Sequence, residues 1–337
     1  MILVTGATGL LGSYLARALL ARGLKVRALR RKHSDLSLLG DYAEKIEWVE
    51  GDITDVVSLE EAMKDVKQVF HCAALVSFKK KDAYNLYKVN VEGTANVANS
   101  ALANGVEKFI HVSSTAAFGF HPPQKIIDET TVYSETLGMI NYFRSKHFAE
   151  REVWRAAAEG LPTIIANVST ILGGGWWDSE PNNIFLLVKK KFPFYTSGVN
   201  GFIDVRDAAM ALITLMEKAQ PGTQYIVSAH NVSLKTIIQK IAEILRVRHP
   251  FIEIKSWHTS MASPIMSIYE RWFNHGALLT SEKLNIATQR LQYNNALFRS
   301  TFNYNFLPLE KTLQDCCAAL EESMRNGTRF GLLEISE

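Results

Sequence analysis

Tyr142 and Lys146 stand four residues apart in the run N-Y-F-R-S-K, inside a segment from Asn141 to Gly160 whose pattern predicts a helix. Residues at that spacing share one helix face. A phenol has an ordinary pKa near ~10 and exchanges protons poorly at neutral pH, but an ammonium group beside it favours the phenolate. Lys146 supplies such a group. Ser114 closes a strand-like run, F-I-H-V-S-S, and its hydroxyl would bond a substrate oxygen beside the tyrosine. A trio of this kind moves a proton at an oxygen while a redox cofactor moves hydride at the attached carbon. Tyr84 and Lys88 have the same spacing, so spacing does not single out the pair. Chain order does: Tyr142 follows the serine-bearing strand by one loop, whereas Tyr84 precedes it and reads as a helix surface.

Such side chains must be carried to the edge of a sheet that also holds the cofactor, and the first dozen residues, M-I-L-V-T-G-A-T-G-L-L-G, provide for that. Ile2 to Val4 are apolar, as in a strand buried on both faces of a parallel sheet; Leu11, Leu15, Ala18 and Leu19 follow at helical spacing, and Gly23 ends the helix. Gly6, Gly9 and Gly12 fall where a strand-to-helix turn bends, admits a pyrophosphate and packs closely. Free amides at the helix start would face the diphosphate. This is the pattern of a dinucleotide site.

A second strand, Leu24 to Leu29, runs into Arg30, Arg31 and Lys32. An acid near this strand end holds the ribose 2′-hydroxyl of NAD, and a cation suits a 2′-phosphate, so Arg30 favours NADP, with NAD possible. Further strands are expected at Ile46 to Val49, Val66 to Cys72 and Val106 to Ser113, with a helix from Asp82 to Asn104. Asp52, in G-D-I-T-D, is placed to accept from an adenine amino group or to serve a turn, and Asp55 to cap the next helix. Ala73 and Ala74 are small enough to let a cofactor lie against the backbone. The alternation of strand and helix implies a doubly wound parallel Rossmann sheet.

Beyond Gly173-Gly174-Gly175 the alternation loosens, and Trp176, Trp177, Phe185, Phe192, Phe194 and Tyr195 crowd together. We expect residues 1–170 to form the nucleotide-binding unit. Phe202 to Lys218 and Gln224 to Ser228 return to its sheet within 199–230, and 171–198 with 231–330 form a smaller, mostly α-helical substrate module. The later aromatics Trp257, Tyr269, Trp272 and Phe273 belong to that module.

Composition limits the alternatives. Among 337 residues, 47% are hydrophobic and 21% charged, and the net charge is only +3, which gives no reason to expect nucleic acid. Cys72, Cys316 and Cys317 cannot all pair, which suggests a reducing compartment and, with no signal peptide or membrane span expected, the cytoplasm. The nine histidines lack metal-ligand spacing, and His71 and His111 read as packed strand residues.

T-G-A-T-G-L-L-G, G-D-I, H-C-A-A, N-V-E-G-T, H-V-S-S and Y-F-R-S-K, in this order, resemble the extended short-chain dehydrogenase/reductase superfamily over about residues 1–230. V-R-A-L-R-R and S-S-T-A-A-F-G are most similar to its dihydroflavonol-4-reductase-like branch, within the NAD(P)-dependent epimerase/dehydratase type. The resemblance implies that Tyr142 is the catalytic acid/base, Lys146 its tuner and ribose ligand, Ser114 the substrate-oxygen donor and Asn90 a helper in a proton relay. It also places Gly6, Thr8, Gly9, Leu10, Leu11 and Gly12 at the pyrophosphate, Arg30 and Arg31 at the 2′-phosphate, Asp52 and Ile53 at the adenine, and Ala73 and Ala74 at the ribose side. Val168 stands where relatives commonly have proline. Dimerisation through the helices around Asp82 to Asn104 and Asn141 to Gly160 is a further implication.

Three functions follow for comparison. The first is an NADP-dependent ketone or alcohol reductase for a bulky, largely apolar small molecule, suggested by the aromatic-rich module. The second is a nucleotide-sugar epimerase, whose diphosphate substrate would want cations such as Lys189, Lys190 and Lys191. The third is a non-catalytic NADP sensor, disfavoured by the complete Ser-Tyr-Lys set. A sugar dehydratase fits less well, because Thr115 and Ala116 follow Ser114 where elimination would use an acidic pair.

Overall fold

The computed structural model describes residues 1–121, 126–135, 140–254 and 281–335. The chain opens with β1 (Ile2–Thr5), α1 (Leu10–Ala21), β2 (Val26–Arg30), β3 (Glu47–Glu50), α2 (Val56–Met63) and β4 (Gln68–His71). It continues with α3 (Gly93–Ala103), β5 (Lys108–Ser114), α4 (Asn141–Ala158) and β6 (Thr163–Val168). After β7 (Thr170–Leu172), α5 (Asn183–Lys189), β8 (Val199–Asp204) and α6 (Val205–Lys218) comes β9 (Thr223–Val227). Seven strands form one sheet in the order β9-β6-β5-β4-β1-β2-β3. Every pairing in it is parallel.

Successive strand residues feed opposite faces, as the two-residue period of a strand requires. Ile2, Val4, Ile110 and Ile164 pack with α1 and α6, through Leu11, Leu15, Ala208 and Leu212. Leu3, Phe109 and Ile165 pack with α2, α3 and α4, through Leu59, Ala62, Val97, Ala101, Val153 and Ala156. Both faces are therefore covered, which is why these strands read as almost uninterrupted apolar runs. The expected doubly wound Rossmann sheet is present, with strand ends within about two residues of their predicted places.

Two expectations are corrected. Phe202 does not return to the main sheet: β8 lies in a second sheet, parallel to β7 and antiparallel to β10 (His230–Ser233). Among the described residues beyond β6, Thr223–Val227 alone rejoins the main sheet, beside β6. The loop expected between the serine-bearing strand and Tyr142 contributes short pairings in its described part, Gly119–Phe120 with Ser134–Glu135 and Ile126–Ile127 with Gln292–Tyr293. Both pairings are long-range, so no local pattern announces them.

The C-terminal part is helical, with α7 (Leu234–Ile244), α8 (Ala296–Phe302) and α9 (Leu309–Asn326). Trp257, Tyr269, Trp272 and Phe273 lie outside the described residues. Leu313, Cys316 and Leu320 of α9 join the same apolar cluster as Tyr14 and Leu15 of α1. The chain then closes onto α1, where the Leu333 amide donates to the Tyr14 hydroxyl at 2.7 Å and Arg17 donates to the Leu333 carbonyl at 3.0 Å. Among the described residues no helix is long and apolar enough to cross a membrane, and no group of side chains is arranged to hold a metal ion. Cys72, Cys316 and Cys317 are all free thiols.

Candidate active site

The turn between β1 and α1 is shaped by contacts that only glycine tolerates. Gly6 has φ +71°, and a Cβ there would lie 2.6 Å from the Ala73 amide nitrogen. A Cβ on Gly12 would lie 2.2 Å from the Gly6 carbonyl oxygen. Gly9 is exposed and starts α1 with no side chain to cap it, so the first-turn amides of Leu10 and Leu11 have no intrahelical partner. Thr8, half-buried, completes the turn. Open amides at the positive end of a twelve-residue helix, with the Ala73 backbone closing one side, fit a diphosphate.

Thr5 pairs with Leu29, so Arg30 sits beside the glycine turn. Its guanidinium lies over the Trp48 ring at 5.2 Å, and Arg31 follows it, exposed. Asp52 uses one carboxylate oxygen to accept from the Thr54 amide and hydroxyl, at 2.9 and 2.8 Å, as a turn residue does. Asp55 caps α2 by accepting from the Val57 amide at 3.2 Å. Ile53 is buried in the core, against the place a Gly93 Cβ would take. Ala73 is half-buried and Ala74 exposed, next to the turn.

At the same edge of the sheet, β5 carries Ser114 and α4 carries Tyr142 and Lys146. The Tyr142 and Ser114 hydroxyls share a hydrogen bond. Ser114 Oγ also accepts from the Ala116 amide at 3.2 Å, which leaves its proton for a second oxygen. Lys146 is 3% exposed and donates from Nζ to the Val112 carbonyl at 3.0 Å. Burial pushes the Tyr142 phenol up, and the Ser114 hydrogen bond draws it back. Burial lowers the Lys146 ammonium to about 8, opposed by the Glu150 charge. Around the phenol the surroundings are aromatic: Phe78 stands edge-on at 5.4 Å, and Phe143 stacks on Phe120 at 4.8 Å. Tyr84, by contrast, is 72% exposed, a surface residue as expected.

Asn90 occupies a π-helical turn, Tyr87–Glu92, just before α3. Its amide donates to the Leu75 carbonyl and to Ser145 Oγ, both at 2.9 Å, and its oxygen accepts from the Leu75 amide at 2.7 Å. Both donors are committed, so Asn90 pins the segment after β4 against α4. Sequence reasoning missed Glu150, Asn167 and Gln224, which form a buried polar group behind Lys146. Glu150 was findable, as the next residue in the file 142, 146, 150.

The aromatic run after Gly175 divides. Trp177 and Phe185 are core, 3% and 0% exposed. Phe192, Phe194 and Tyr195 line an apolar cavity of about 120 Å³ with Ile184, Leu187 and Ile254. Lys189 is held by Glu321 at 2.7 Å.

A glycine turn fit for a diphosphate, followed on the same sheet edge by a serine and a tyrosine in contact and a lysine one helical turn further on, defines a dinucleotide-dependent enzyme of the extended short-chain dehydrogenase/reductase class. Residues 2–228 match the model of the NAD dependent epimerase/dehydratase family, and the chain belongs to that family. It is 34% identical to sterol demethylase protein B of Methylococcus capsulatus over 75% of this chain and 76% of that protein. It is 33% identical to a putative dihydroflavonol 4-reductase of Synechocystis, over 75% of each chain. The crystal structure of gox2253 is similar with a TM-score of 0.83 and 32% identity, over 96% of this chain and 99% of that one. MoeE5, solved with UDP-glucose and NAD, has a TM-score of 0.76 at 18% identity, over 96% and 99%, and shows the shared fold.

Proposed function

We propose that this NAD(P)-dependent enzyme is an NADP-dependent reductase of a ketone, or oxidant of the matching alcohol, on a bulky and largely apolar small molecule. The observation that carries the reading is the hydrogen bond between the Tyr142 and Ser114 hydroxyls inside an aromatic surround. The bound cofactor would supply hydride to the carbonyl carbon. Ser114 would donate to the carbonyl oxygen and hold it beside Tyr142, and the Tyr142 phenol would pass its proton to that oxygen. Lys146 would place positive charge beside the phenolate so formed. The glycine turn would hold the diphosphate, with Asp52 and the Ile53 backbone at the adenine, Ala73 and Ala74 along the ribose, and Arg30 with Arg31 on a 2′-phosphate.

Apolar substrates are favoured because Phe78 and Phe143 flank the phenol, and because relatives at 34% and 33% identity carry the names sterol demethylase protein B and putative dihydroflavonol 4-reductase. A nucleotide-sugar epimerase needs cations free for a diphosphate in the substrate module, and there Lys189 is paired with Glu321. The reading includes the cytoplasm, consistent with three free thiols, and a homodimer through the helices around 82–104 and 141–160, where Tyr84 and Tyr87 are exposed.

The test is cofactor oxidation with a panel of apolar ketones and of nucleotide sugars. Ketone-dependent NADPH consumption is expected; turnover of a nucleotide sugar alone would install the epimerase reading. In the same assay Arg30→Asp should lower the NADPH-over-NADH preference by about tenfold or more, the equivalent of one charge-assisted contact. An unchanged ratio would exclude a 2′-phosphate at Arg30.

A further inference from the structure

Three successive residues of β5 each bond a different member of one file on α4. The Val112 carbonyl accepts from Lys146 at 3.0 Å, the Ser113 hydroxyl donates to Glu150, and Ser114 meets Tyr142. Tyr142, Lys146 and Glu150 lie at steps of four along the helix, so each stands one turn above the last. We propose that Glu150 is a positioning residue for this proton-transfer pair: it keeps the Lys146 side chain in its ammonium form and, through Asn167, fixes the strand end that carries Ser114. The inference rests on reading Tyr142 and Lys146 as the proton-handling pair.

The surroundings of Glu150 are built from three strands. One carboxylate oxygen accepts from both Ser113 and Asn167, the latter at 2.5 Å. Asn167 is the register partner of Ser113, and its amide also donates to the Ser114 carbonyl at 3.2 Å. Gln224 of β9 in turn donates to Asn167 Oδ1 at 2.7 Å and approaches the second Glu150 oxygen at 3.5 Å. The carboxylate thus reaches Ser114 by a single intervening side chain.

Donor bonds alone do not explain a carboxylate here. A glutamine oxygen would accept from Ser113 and Asn167 as well, without the cost of desolvating a charge. What glutamine lacks is the negative charge, and Lys146, one turn away, is the cation that responds to it. Among the described residues, Cys72 is the other group whose charge would act on Lys146, and burial keeps its thiol protonated. His71 on β4 hydrogen-bonds Thr5 and Thr94 and is driven neutral by burial, to about 3. His111 on β5 is lowered further for the same reason, and the Cys72 thiol is pushed up to about 12. Asn90, Thr94, Ser113, Asn167 and Gln224 carry no charge.

The test titrates Lys146 directly on the chain without cofactor or substrate. In protein carrying isotope-labelled lysine, the side-chain resonance lost in Lys146→Arg identifies Lys146, and its midpoint is followed against pH. Glu150→Gln should lower that midpoint by about one pH unit or more, the size of effect an opposite charge within a few ångströms produces; an unmoved midpoint overturns the proposal. Should Glu150→Gln not fold, the reciprocal measurement replaces it, since coupling between two sites is felt equally at both. In Lys146→Met the glutamate carboxyl that titrates near neutrality should move up, and a carboxyl that stays in place overturns the proposal. Both readouts are independent of turnover. Midpoints that move while no ketone is reduced uphold Glu150 and count against the reductase; midpoints that stay while reduction proceeds do the reverse.

Discussion

Tyr142 is partly buried, bonded to a serine hydroxyl and bounded by Phe78 and Phe143, so a phenylalanine in its place keeps every ring contact and loses only the hydroxyl. Tyr142→Phe should therefore bind NADPH with wild-type affinity in a fluorescence titration while kcat falls by about 10²- to 10⁴-fold, the usual contribution of a positioned acid or base. Turnover within a few-fold of wild type would remove Tyr142 from the chemistry. The residue pair itself was visible in the sequence, and so was its decoy: Tyr84 and Lys88 have the same spacing, and only chain order separated them. What spacing could not disclose is that Lys146 hydrogen-bonds a backbone carbonyl and that the phenol is buried with its hydroxyl bonded to Ser114. Those facts depend on which atoms of β5 lie opposite α4.

At the scale of elements, the β1-to-α1 turn is the part whose sequence leaves least freedom. Gly12 packs its α-carbon against the Gly6 carbonyl, and an added methyl would meet backbone atoms at 2.2 and 2.7 Å that no rotamer change can clear. Gly12→Ala should cost about 1–3 kcal/mol in denaturant unfolding, as overpacking does, and loosen NADPH binding by splaying the first-turn amides. Unaltered stability and affinity would mean that the turn relaxes without consequence. The π-helical turn at Tyr87–Glu92 is the opposite case: its sequence, Y-K-V-N-V-E, reads as ordinary helix. Asn90 lies in that turn, and its amide bridges Leu75 and Ser145 on two other segments.

For the whole molecule, the described C-terminal helices share the core of the nucleotide-binding sheet. Tyr14 is completely buried on α1 and accepts from the Leu333 amide at the far end of the chain, while burial pushes its phenol up to about 12 and keeps it neutral. Tyr14→Phe would strand that buried amide, at a cost of about 1–3 kcal/mol. Thermal unfolding should shift downward and limited proteolysis should begin within the last residues; an unchanged melt with a protected tail would show that Leu333 holds its place by packing alone.

The sequence by itself determined the parallel sheet and the glycine turn, and it singled out the serine, tyrosine and lysine that the proposed chemistry uses, because each is written in local terms: apolar runs, glycines at a turn, a four-residue step on one helix. Tertiary structure alone decided that Val199–Asp204 lies outside the main sheet, that Asn90 braces the segment after β4, and that Glu150, Asn167 and Gln224 gather in one hydrogen-bonded group. Strand partners and buried charge neighbours come from segments tens of residues apart, brought level by register. No periodicity in one stretch of chain encodes what another stretch will place beside it.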